Sequence, residues 1–377
     1  MKIVVVGAGV SGVIFALSYK RSHPKDDVLI LERKEEPLKK ILATGNGKCN
    51  IGNKGSLKDI YGSDFAYEIV LKYNLKSQLS FLDSLNIKTK EVGDLIYPIS
   101  ESAVTVRNAL LKALEKEHIE IKTNEEVTDY IANDEEIEVF TENNRFIVDK
   151  LVFSVGGKSS PNLGSNGNLI PTFKEHGYKL KEMNPGLCPI YIKEDVKTLD
   201  GVRVKADVSL LKNNKLIHKE SGELLFKDKG LSGIVIFNVS RIIARDLEAE
   251  YKIKIDLLPN VAFEDLGIFL SFHSKDELLD SYLHPKLANY LRKENLKGHD
   301  LINSIKGHIF TFKKLYDFEF SQVSVGGILL KEIKDNFESI LEKNVYFIGE
   351  TLDVDAPCGG YNLMWAIASG LSLADHI

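Results

Sequence analysis

The hydrophobic pattern changes twice within the first thirty-two residues. Lys2–Val6 (KIVVV) is a run of mostly β-branched residues with the length of a buried strand. Residues 7–12 then read GAGVSG, and residues 13–17 (VIFAL) can form a helix. A second apolar run, Val28–Leu31, is followed at once by Glu32. The order strand, glycine-rich turn, helix, strand and acid predicts the first unit of a doubly wound α/β sheet.

Helix and strand patterns continue from there toward residue 177. Apolar residues recur at helical spacing over 64–86 and 101–118, and Pro171–Gly177 also reads as helical. Five strand-like segments lie between these helices. The first fits a third parallel strand of the sheet, the next three fit a β-meander, and the last has the apolar character of a buried strand. They are Ile119–Lys122, Glu126–Ala132, Ile137–Thr141, Arg145–Val148 and Lys150–Val155.

The pattern changes near Leu187 and changes back near residue 321. The strand-like segments Pro189–Ile192 and Arg203–Leu210 alternate, and residues 263–307 are mostly helical. We therefore expect an inserted module at 187–320, with a barrel-like β part at about 187–260 and a helical part at about 261–310. Residues 1–186 and 321–377 would form the two parts of the nucleotide-binding domain, and the second part ends in the predicted helix Leu363–Ala374.

The glycines of the first turn have distinct physical roles. Gly7 permits the tight turn, Gly9 lets the backbone approach a pyrophosphate, and Gly12 allows close packing of helix and strand. The helix N-terminus offers N–H groups to phosphates, and Glu32 can accept hydrogen bonds from ribose hydroxyls. The alternatives are that these residues belong to a signal peptide, or that the glycines only form a turn and bind nothing. Neither alternative explains Glu32. The first thirty-two residues therefore predict a dinucleotide site.

Composition narrows the class of protein. The 377 residues are 44% hydrophobic and 27% charged, with a net charge of −5, which is typical of an ordinary globular protein. Because both signs of charge are interspersed, we expect neither a nucleic-acid nor a membrane partner. The three cysteines, Cys49, Cys188 and Cys358, are odd in number and far apart, which favours a cytoplasmic location over a disulfide framework. No motif indicates a metal site.

Five motifs in order make the chain resemble the BaiN-like (YhiN-like) flavoproteins, also described as NAD(P)/FAD-dependent or aminoacetone-oxidase-type enzymes. The resemblance covers nearly the whole chain, and the last motif is the most specific. Lys48 stands where that family usually has Arg, and Cys358 where Thr or Ser is commoner. The motifs are GAGVSG, TGNGKCN, GGKSSPNLGSNG, GELLFKDKGLSG and GETLDVDAPCGGYNLMWAIASG.

The resemblance implies that FAD is held by segments distant in sequence. The turn after the first strand would hold the pyrophosphate, Glu32 the ribose, and the backbone of Val127 the adenine. The 44–50 loop would follow the ribityl chain and flavin, and the helix starting near residue 361 would direct its N–H groups at the flavin pyrimidine edge. The implied cofactor contacts are Gly7, Gly9, Val10, Ser11, Gly12, Glu32, Arg33, Thr44, Gly45, Asn46, Gly47, Lys48, Cys49, Asn50, Val127, Gly156, Gly157, Gly349, Glu350, Gly359, Gly360, Tyr361 and Asn362.

The chemistry expected from these features is an FAD-dependent oxidation or reduction of a small organic substrate. The inserted module at 187–320 is expected to act as a substrate or cap module that covers the flavin face and forms the substrate pocket. Within that class, an enone-type reductase competes with an oxygen-using amine or amino-acid oxidase of the aminoacetone type. A flavin-bearing RNA-modifying protein and a non-catalytic flavin-binding protein are alternatives of other classes. No second strand–GxGxxG–helix unit is present, so NAD(P)H would act only as a transient electron donor. The sequence identifies no catalytic acid or base, and it leaves the oligomeric state open.

Overall fold

The computed structural model describes residues 1–133 and 135–377, which fall into two compact units. The first unit consists of Met1–Asn184 and Val323–Ile377, and the second is Pro185–Gln322. The sequence of the second unit is thus inserted into that of the first. Within the described ranges, no helix has both the length and the apolar character needed to cross a membrane.

The elements of the first unit alternate between strands and helices, as the hydrophobic pattern predicts. Its helices are α1 (Val10–Ser22), α2 (Asp64–Lys72), α3 (Leu75–Ser84), α4 (Ala103–Lys116), α5 (Ile170–Glu175) and α11 (Tyr361–Ala374). Its strands are β1 (Lys2–Val6), β2 (Asp27–Leu31), β3 (Gly52–Asn53), β4 (Thr89–Val92), β5 (Leu95–Pro98), β6 (Glu120–Lys122), β7 (Val127–Ala132), β8 (Ile137–Thr141), β9 (Arg145–Val148), β10 (Lys150–Phe153), β11 (Leu180–Gly186), β18 (Val323–Ile328) and β19 (Val345–Phe347).

The centre of the first unit is a parallel sheet with the strand order β19-β10-β1-β2-β6. Val4 of β1 lies opposite Leu29 of β2 and Leu151 of β10, so the strands are in close register. Three further antiparallel sheets are β3-β5-β4, the meander β7-β8-β9 and the ribbon β11-β18, whose direction follows from the hydrogen bonds of Leu329 N–H to Lys179 and of Gln322 N–H to Leu187. The predicted Rossmann-like sheet and meander are confirmed.

Helix α11 crosses helix α1 at very short range. A Cβ atom added to Gly370 would lie 2.6 Å from the carbonyl oxygen of Ser11 and 3.0 Å from the nitrogen of Phe15. Gly370 therefore permits an approach that a larger residue would prevent. This crossing brings the last helix of the chain against the glycine-rich turn at its start.

The helical pattern over 64–86 belongs to two helices rather than one. The chain breaks at Tyr73, and the side chain of Asn74 accepts a hydrogen bond from the backbone N–H of Ser77 at 3.2 Å. An asparagine that caps a helix in this way starts a new one, which the apolar spacing alone does not reveal.

The second unit is a closed barrel with helices that follow or interrupt its strands, confirming the predicted β-barrel-like and helical module. The strand order in the barrel is β12-β15-β14-β13-β16-β17. The strands are β12 (Ile190–Ile192), β13 (Arg203–Lys212), β14 (Lys215–Lys227), β15 (Gly230–Ser232), β16 (Tyr251–Asp256) and β17 (His308–Leu315). The helices are α6 (Ile234–Ala244), α7 (Phe263–Phe272), α8 (Lys275–Tyr282), α9 (Pro285–Lys293) and α10 (Gly298–Gly307).

Candidate functional site

The turn between β1 and α1 uses its three glycines in different ways. A Cβ atom on Gly7 would lie 2.6 Å from the carbonyl oxygen of Ser154, and one on Gly12 would lie 2.3 Å from the Ser154 hydroxyl oxygen. A Cβ atom on Gly9 would have no neighbour nearer than 3.8 Å. Gly7 and Gly12 are thus required by packing, whereas Gly9 leaves open space above the turn.

The first turn of α1 begins at this open space. Gly9 precedes the helix, and no described side chain caps its N-terminus. The backbone N–H groups of Val10 and Ser11, in the first turn of the helix, have no acceptor within the helix. Aligned peptide dipoles add partial positive charge at the same place. The turn can therefore receive an anionic group such as a pyrophosphate.

Glu32 is held at the end of β2 by backbone groups. One carboxylate oxygen accepts a hydrogen bond from Ala8 N–H, and the other accepts one from Lys34 N–H, both at 2.9 Å. Each carboxylate oxygen can accept further bonds. Nη1 of the neighbouring Arg33 lies 3.3 Å from Oε1 of Glu126, and its buried Nε has no hydrogen-bond partner within residues 1–133 and 135–377.

The 44–50 loop adopts the positive φ angles that its composition predicts. The φ angles of Gly45, Asn46, Gly47 and Cys49 are 55°, 54°, 81° and 59°. Thr44 closes the loop, because its carbonyl oxygen accepts from Cys49 N–H at 3.0 Å. These φ angles curve the backbone tightly, as in the concave loops that bind anions.

Two side chains at the end of this loop have different surroundings. Oδ1 of Asn50 is buried and has no partner in the described part of the chain, so it can accept a hydrogen bond from a bound group. Lys48 instead lies 3.0 Å from Glu101, with more than half of its side chain exposed. This ion pair raises the pKa of Lys48. Hydrogen bonds from Lys90 first and from Lys48 second lower the pKa of Glu101 to about 2.

The carboxylate of Glu350 joins three distant segments. Oε2 lies 2.7 Å from Nζ of Lys40, and Oε1 accepts a hydrogen bond from the backbone N–H of Ser324, also at 2.7 Å. A Cβ atom on Gly156 would lie 3.7 Å from the same Oε2. Glu350 and Gly156, both predicted contacts, therefore lie together.

The hydroxyl of Ser324 fixes the loop that follows β10. It accepts hydrogen bonds from the backbone N–H groups of Lys158 at 2.7 Å and Ser159 at 3.0 Å. A Cβ atom on Gly157 would lie 2.4 Å from this hydroxyl, so only glycine fits there. Ser324 therefore fixes the backbone conformation of the loop.

Two of these residues, Lys40 and Ser324, are not among the contacts that the sequence predicts. Lys40 follows Lys39 in a polar segment, where no pattern distinguishes the two lysines. Ser324 gives a weak signal, because it is a lone hydroxyl in an apolar strand just before paired glycines.

The segment before α11 is folded onto the 52–53 strand. A Cβ atom on Gly360 would lie 2.9 Å from the backbone of Gly52, and Nδ2 of Asn53 donates to the carbonyl oxygen of Gly359 at 3.0 Å. The side chain of Asn362 accepts from Ala356 N–H at 2.9 Å and donates to the oxygen of the same residue at 2.8 Å. Asn362 thus holds the loop before α11 in place through two hydrogen bonds, and it is also a predicted cofactor contact.

Gly349 brings the end of β19 against both α1 and α11. Its N–H donates to the Ser369 hydroxyl at 3.1 Å, and its carbonyl oxygen accepts from Nε1 of Trp365 at 3.0 Å. A Cβ atom on Gly349 would lie 2.4 Å from Oγ of Ser11. Two of the five sequence motifs, the first and the last, therefore meet at this glycine.

The remaining predicted contacts lie near the edges of the site or inside the protein. Tyr361 is buried at the start of α11, and burial followed by Asp94 raises its pKa. Val127 is the buried first residue of β7 and pairs with Thr141. The cofactor contacts assigned to Tyr361 and Val127 stay predictions.

Cys49 lies in the 44–50 loop, and His308 and His273 lie in the second unit; we assign none of the three a reactive role. Burial raises the pKa of the Cys49 thiol to about 11, so the thiol is protonated at neutral pH. His308, in the second unit, is buried, and desolvation lowers its pKa. His273 lies exposed beside Glu277, at 3.8 Å. No cluster of potential metal ligands occurs in the parts of the chain that the structure describes.

Comparisons with known proteins agree with this arrangement. The family model described as "HI0933-like protein Rossmann domain" matches residues 1–376. The 3-dehydro-bile acid delta(4,6)-reductase of Clostridium scindens is 31% identical over 98% of this chain and 97% of its own length. The ribosomal RNA dihydrouridine synthase of Escherichia coli is 26% identical over 99% of this chain and 97% of its own length.

Two solved structures share the fold at low sequence identity. A quinol fumarate reductase chain of E. coli has a TM-score of 0.53 and 11% identity, and the match covers 100% of this chain and 70% of that one. The 3-ketosteroid delta1-dehydrogenase of Sterolibacterium denitrificans also has a TM-score of 0.53 and 11% identity, over 99% of this chain and 98% of that one.

Proposed function

The chain belongs to the HI0933-like Rossmann-domain family, a family of FAD-binding oxidoreductases, and we propose that it uses FAD to reduce a carbon–carbon double bond conjugated to a carbonyl group. The proposed substrate is a small enone-type molecule. Reduced nicotinamide, NADH or NADPH, is the proposed electron donor.

The observation that carries this proposal is the chemistry shared by the two named relatives. The reductase acts on 3-dehydro-bile acids at delta(4,6) double bonds, which extend from a 3-carbonyl group. A dihydrouridine synthase saturates the 5,6 double bond of uracil, which is conjugated to the 4-carbonyl group. Both reactions place two electrons and two protons across an activated double bond. A flavin can transfer the electron pair as a hydride.

The residues of the first unit fit FAD. The open space at Gly9 would take the pyrophosphate, and the remaining acceptor capacity of Glu32 would take ribose hydroxyls. Oδ1 of Asn50 and Nε of Arg33 are buried and have no hydrogen-bond partner among the described residues, and a polar cofactor would supply one. These orphaned atoms would be costly if nothing bound beside them.

The helix α11 would assist the reduction electrostatically. Its N-terminus, fixed by Asn362 and by the Gly360–Gly52 contact, presents partial positive charge. Placed at the pyrimidine end of the flavin, this charge would stabilise the negative charge that the cofactor carries when reduced. We assign no catalytic acid or base.

A uridine in RNA is the second candidate substrate, because two relatives carry the name ribosomal RNA dihydrouridine synthase and match nearly the whole chain. The mixed surface charge favours a small molecule, so the absence of a nucleic-acid partner stays a prediction. An oxygen-using amine or amino-acid oxidase is the third candidate, and no relative described above has such a name.

The test begins with the absorption spectrum of the purified protein and release of its chromophore on denaturation. Anaerobic addition of NADPH or NADH should bleach the flavin, and a 3-oxo-4-ene steroid or an unmodified ribosomal RNA transcript should then restore its colour. Reoxidation by the steroid supports the first candidate, and reoxidation by the transcript supports the second. Bleaching by an amine or amino acid instead of nicotinamide, with reoxidation by oxygen alone, would refute the reductase proposal. A protein that cannot be loaded with FAD would refute the cofactor as well.

A further inference from the structure

The carboxylate of Glu126 lies where three separate segments of the first unit meet. Its Oε1 accepts a hydrogen bond from Nδ2 of Asn168 at 2.8 Å, and the same oxygen lies 3.3 Å from Nη1 of Arg33. Arg33 belongs to the segment after β2, Glu126 directly precedes β7, and Asn168 lies in the loop before α5. Neither Glu126 nor Asn168 is among the cofactor contacts that the sequence predicts.

Backbone hydrogen bonds hold the first two of these segments side by side. The carbonyl oxygen of Glu32 accepts from Glu125 N–H at 2.9 Å, and that of Lys34 accepts from Asn124 N–H at 3.1 Å. Glu32 and Lys34 are the neighbours of Arg33 in sequence. The backbone that carries the Arg33 side chain is therefore fixed on both sides.

The loop that carries Asn168 is also held in place. The side-chain Oδ1 of Asn166 accepts from Asn168 N–H at 3.2 Å, and the hydroxyl of Thr172 in α5 donates to the carbonyl oxygen of Thr128 in β7 at 3.1 Å. The second bond ties the helix after this loop to the strand after Glu126. The amide of Asn168 thus reaches the carboxylate from a fixed position.

The guanidinium of Arg33 is only partly satisfied by the contact with Glu126. The side chain is largely shielded from solvent, and its buried Nε has no hydrogen-bond partner among the described residues. A guanidinium is planar and its N–H groups point in fixed directions, so a contact at Nη1 also limits the direction of the Nε–H. Glu126 therefore helps to orient a buried donor that lacks an acceptor.

The position of Glu32 indicates which half of the cofactor this donor would meet. An acid that follows the second strand of such a unit binds the adenosine ribose, while the glycine turn takes the pyrophosphate. Glu32 is joined to that turn, since its carboxylate accepts from Ala8 N–H at 2.9 Å. Arg33 is the next residue and thus belongs to the adenosine end of the site. FMN has no adenosine half and would not reach it.

We propose that Glu126 and Asn168 are positioning residues that orient Arg33 toward the adenosine half of FAD, so that the site prefers FAD over FMN. The inference rests on the proposed use of FAD. An oxygen or ring nitrogen of the adenosine supplies the acceptor that Nε of Arg33 lacks. Without the carboxylate, the arginine side chain would populate more rotamers, and ordering it on binding would reduce the affinity for FAD.

The test measures the Kd of the full-length apoprotein for FAD and for FMN by fluorescence anisotropy of the flavin. Glu126→Gln removes the charge that faces the guanidinium, Arg33→Gln removes the guanidinium, and a double variant combines them. Glu125→Gln is the matched control, because it removes the same charge one residue away, where the carboxylate accepts from Thr141 and Asn144 instead.

The original protein should bind FAD at least about tenfold more tightly than FMN. Glu126→Gln should weaken FAD binding about fivefold and change FMN binding less than about twofold. The double variant should bind FAD no more weakly than Arg33→Gln alone, because Glu126 acts through the arginine. Both flavins carry negative phosphate, so removal of an acid should by itself strengthen binding, and the Glu125→Gln control should show no loss.

Thermal unfolding verifies that each apoprotein is folded. If Glu126→Gln does not fold, Asn168→Ala decides the same point, since it removes the second contact of the carboxylate and should weaken FAD binding about threefold with FMN binding unchanged. Equal loss of FAD and FMN affinity in a folded variant would indicate a general structural role and overturn the proposal.

Other results would also overturn it. Additive losses in the double variant would show that Glu126 does not act through Arg33, and equal affinities of the original protein for the two flavins would show that the adenosine end contributes nothing. If the original protein binds neither flavin, the proposed cofactor fails together with this inference. If it binds FAD and nicotinamide reduces it, but Glu126→Gln keeps the original selectivity, only this inference fails.

Discussion

The ammonium nitrogen of Lys40 lies 2.7 Å from a carboxylate oxygen of Glu350, although the two residues are 310 positions apart in sequence. Both side chains are largely shielded from solvent, so the pair is screened less than a surface ion pair. The second oxygen of Glu350 is bonded to Ser324 N–H. A single carboxylate thus connects the segment that precedes the 44–50 loop, β18 and the segment after β19.

Removal of the Lys40 charge should weaken FAD binding. Lys40→Met leaves Glu350 without its counter-charge in a partly buried position, and we expect about a tenfold higher Kd for FAD, which is about 1.4 kcal/mol. Lys39→Met is the matched control, because Lys39 lies 3.8 Å from the exposed Glu36. The measurement is quenching of FAD fluorescence on titration of the apoprotein. Equal affinities of the two variants would contradict the prediction.

The glycines of the first turn should separate into cofactor and packing roles. Gly9→Ala meets no atom within 3.8 Å, so the apoprotein should keep its melting temperature while FAD affinity falls at least about tenfold. Gly12→Ala places its Cβ 2.3 Å from Oγ of Ser154 and should destabilise the apoprotein itself by about 1–3 kcal/mol. Thermal unfolding of both apoproteins checks this, and an unstable Gly9→Ala apoprotein would show the division to be wrong.

Loss of the Ser324 hydroxyl should loosen the loop after β10. Ser324→Ala leaves the N–H groups of Lys158 and Ser159 without their acceptor, which should cost about 2 kcal/mol of the free energy of unfolding. Ser22→Ala, on an exposed helix end, should cost less than about 0.5 kcal/mol. Denaturant unfolding measures both, and similar values for the two variants would count against the assigned role.

Thiol chemistry should separate one cysteine from the other two. Burial raises the pKa values of Cys49 and Cys188 to about 11, so at pH 8 only about one molecule in a thousand carries either thiolate. The half-buried Cys358 should therefore react first with a thiol reagent in the native protein, and Cys358→Ser should remove that reaction. Mass spectrometry of the labelled peptides checks the order, and rapid labelling of Cys49 would contradict it.

The burial of Cys49 and Cys188 also determines how the stability of the protein changes at alkaline pH. The folded-state pKa values of both thiols exceed the ordinary value of 9.0, so folding favours the neutral thiol. Their contribution is fully present below pH 9 and is lost as the pH rises toward 11. A Cys49→Ala variant should therefore show a shallower fall in melting temperature over this interval than the original protein.

Much of the fold is predictable because its signals are local. The run KIVVV, the glycine turn and Glu32 lie within thirty-two residues, and their order and spacing together specify the first unit of the sheet. The positive φ angles of Gly45 and Asn46 likewise follow from composition within one loop. These features depend on neighbours in sequence and need no knowledge of the tertiary structure.

The connections of the site are not predictable in the same way. Lys40 and not Lys39 is the partner of Glu350, and this depends on the direction in which each lysine side chain points from the turn. The break between α2 and α3 depends on a side-chain hydrogen bond of Asn74. The multiple roles of Ser324 depend on packing against Gly157, which is far away in sequence. Such relationships require tertiary geometry.

The ribbon of β11 and β18 has a consequence for how this chain could have arisen. The chain leaves the first unit after Asn184 and returns at Val323, through two strands that are hydrogen-bonded neighbours and run in opposite directions, with Leu329 N–H bonded to Lys179 and Gln322 N–H to Leu187. Adjacent strands lie about 4.8 Å apart, the spacing that a short hairpin bridges. The barrel unit can thus be regarded as a greatly enlarged hairpin loop. Lineages could exchange one such loop for another without altering the order or register of the cofactor-binding sheet.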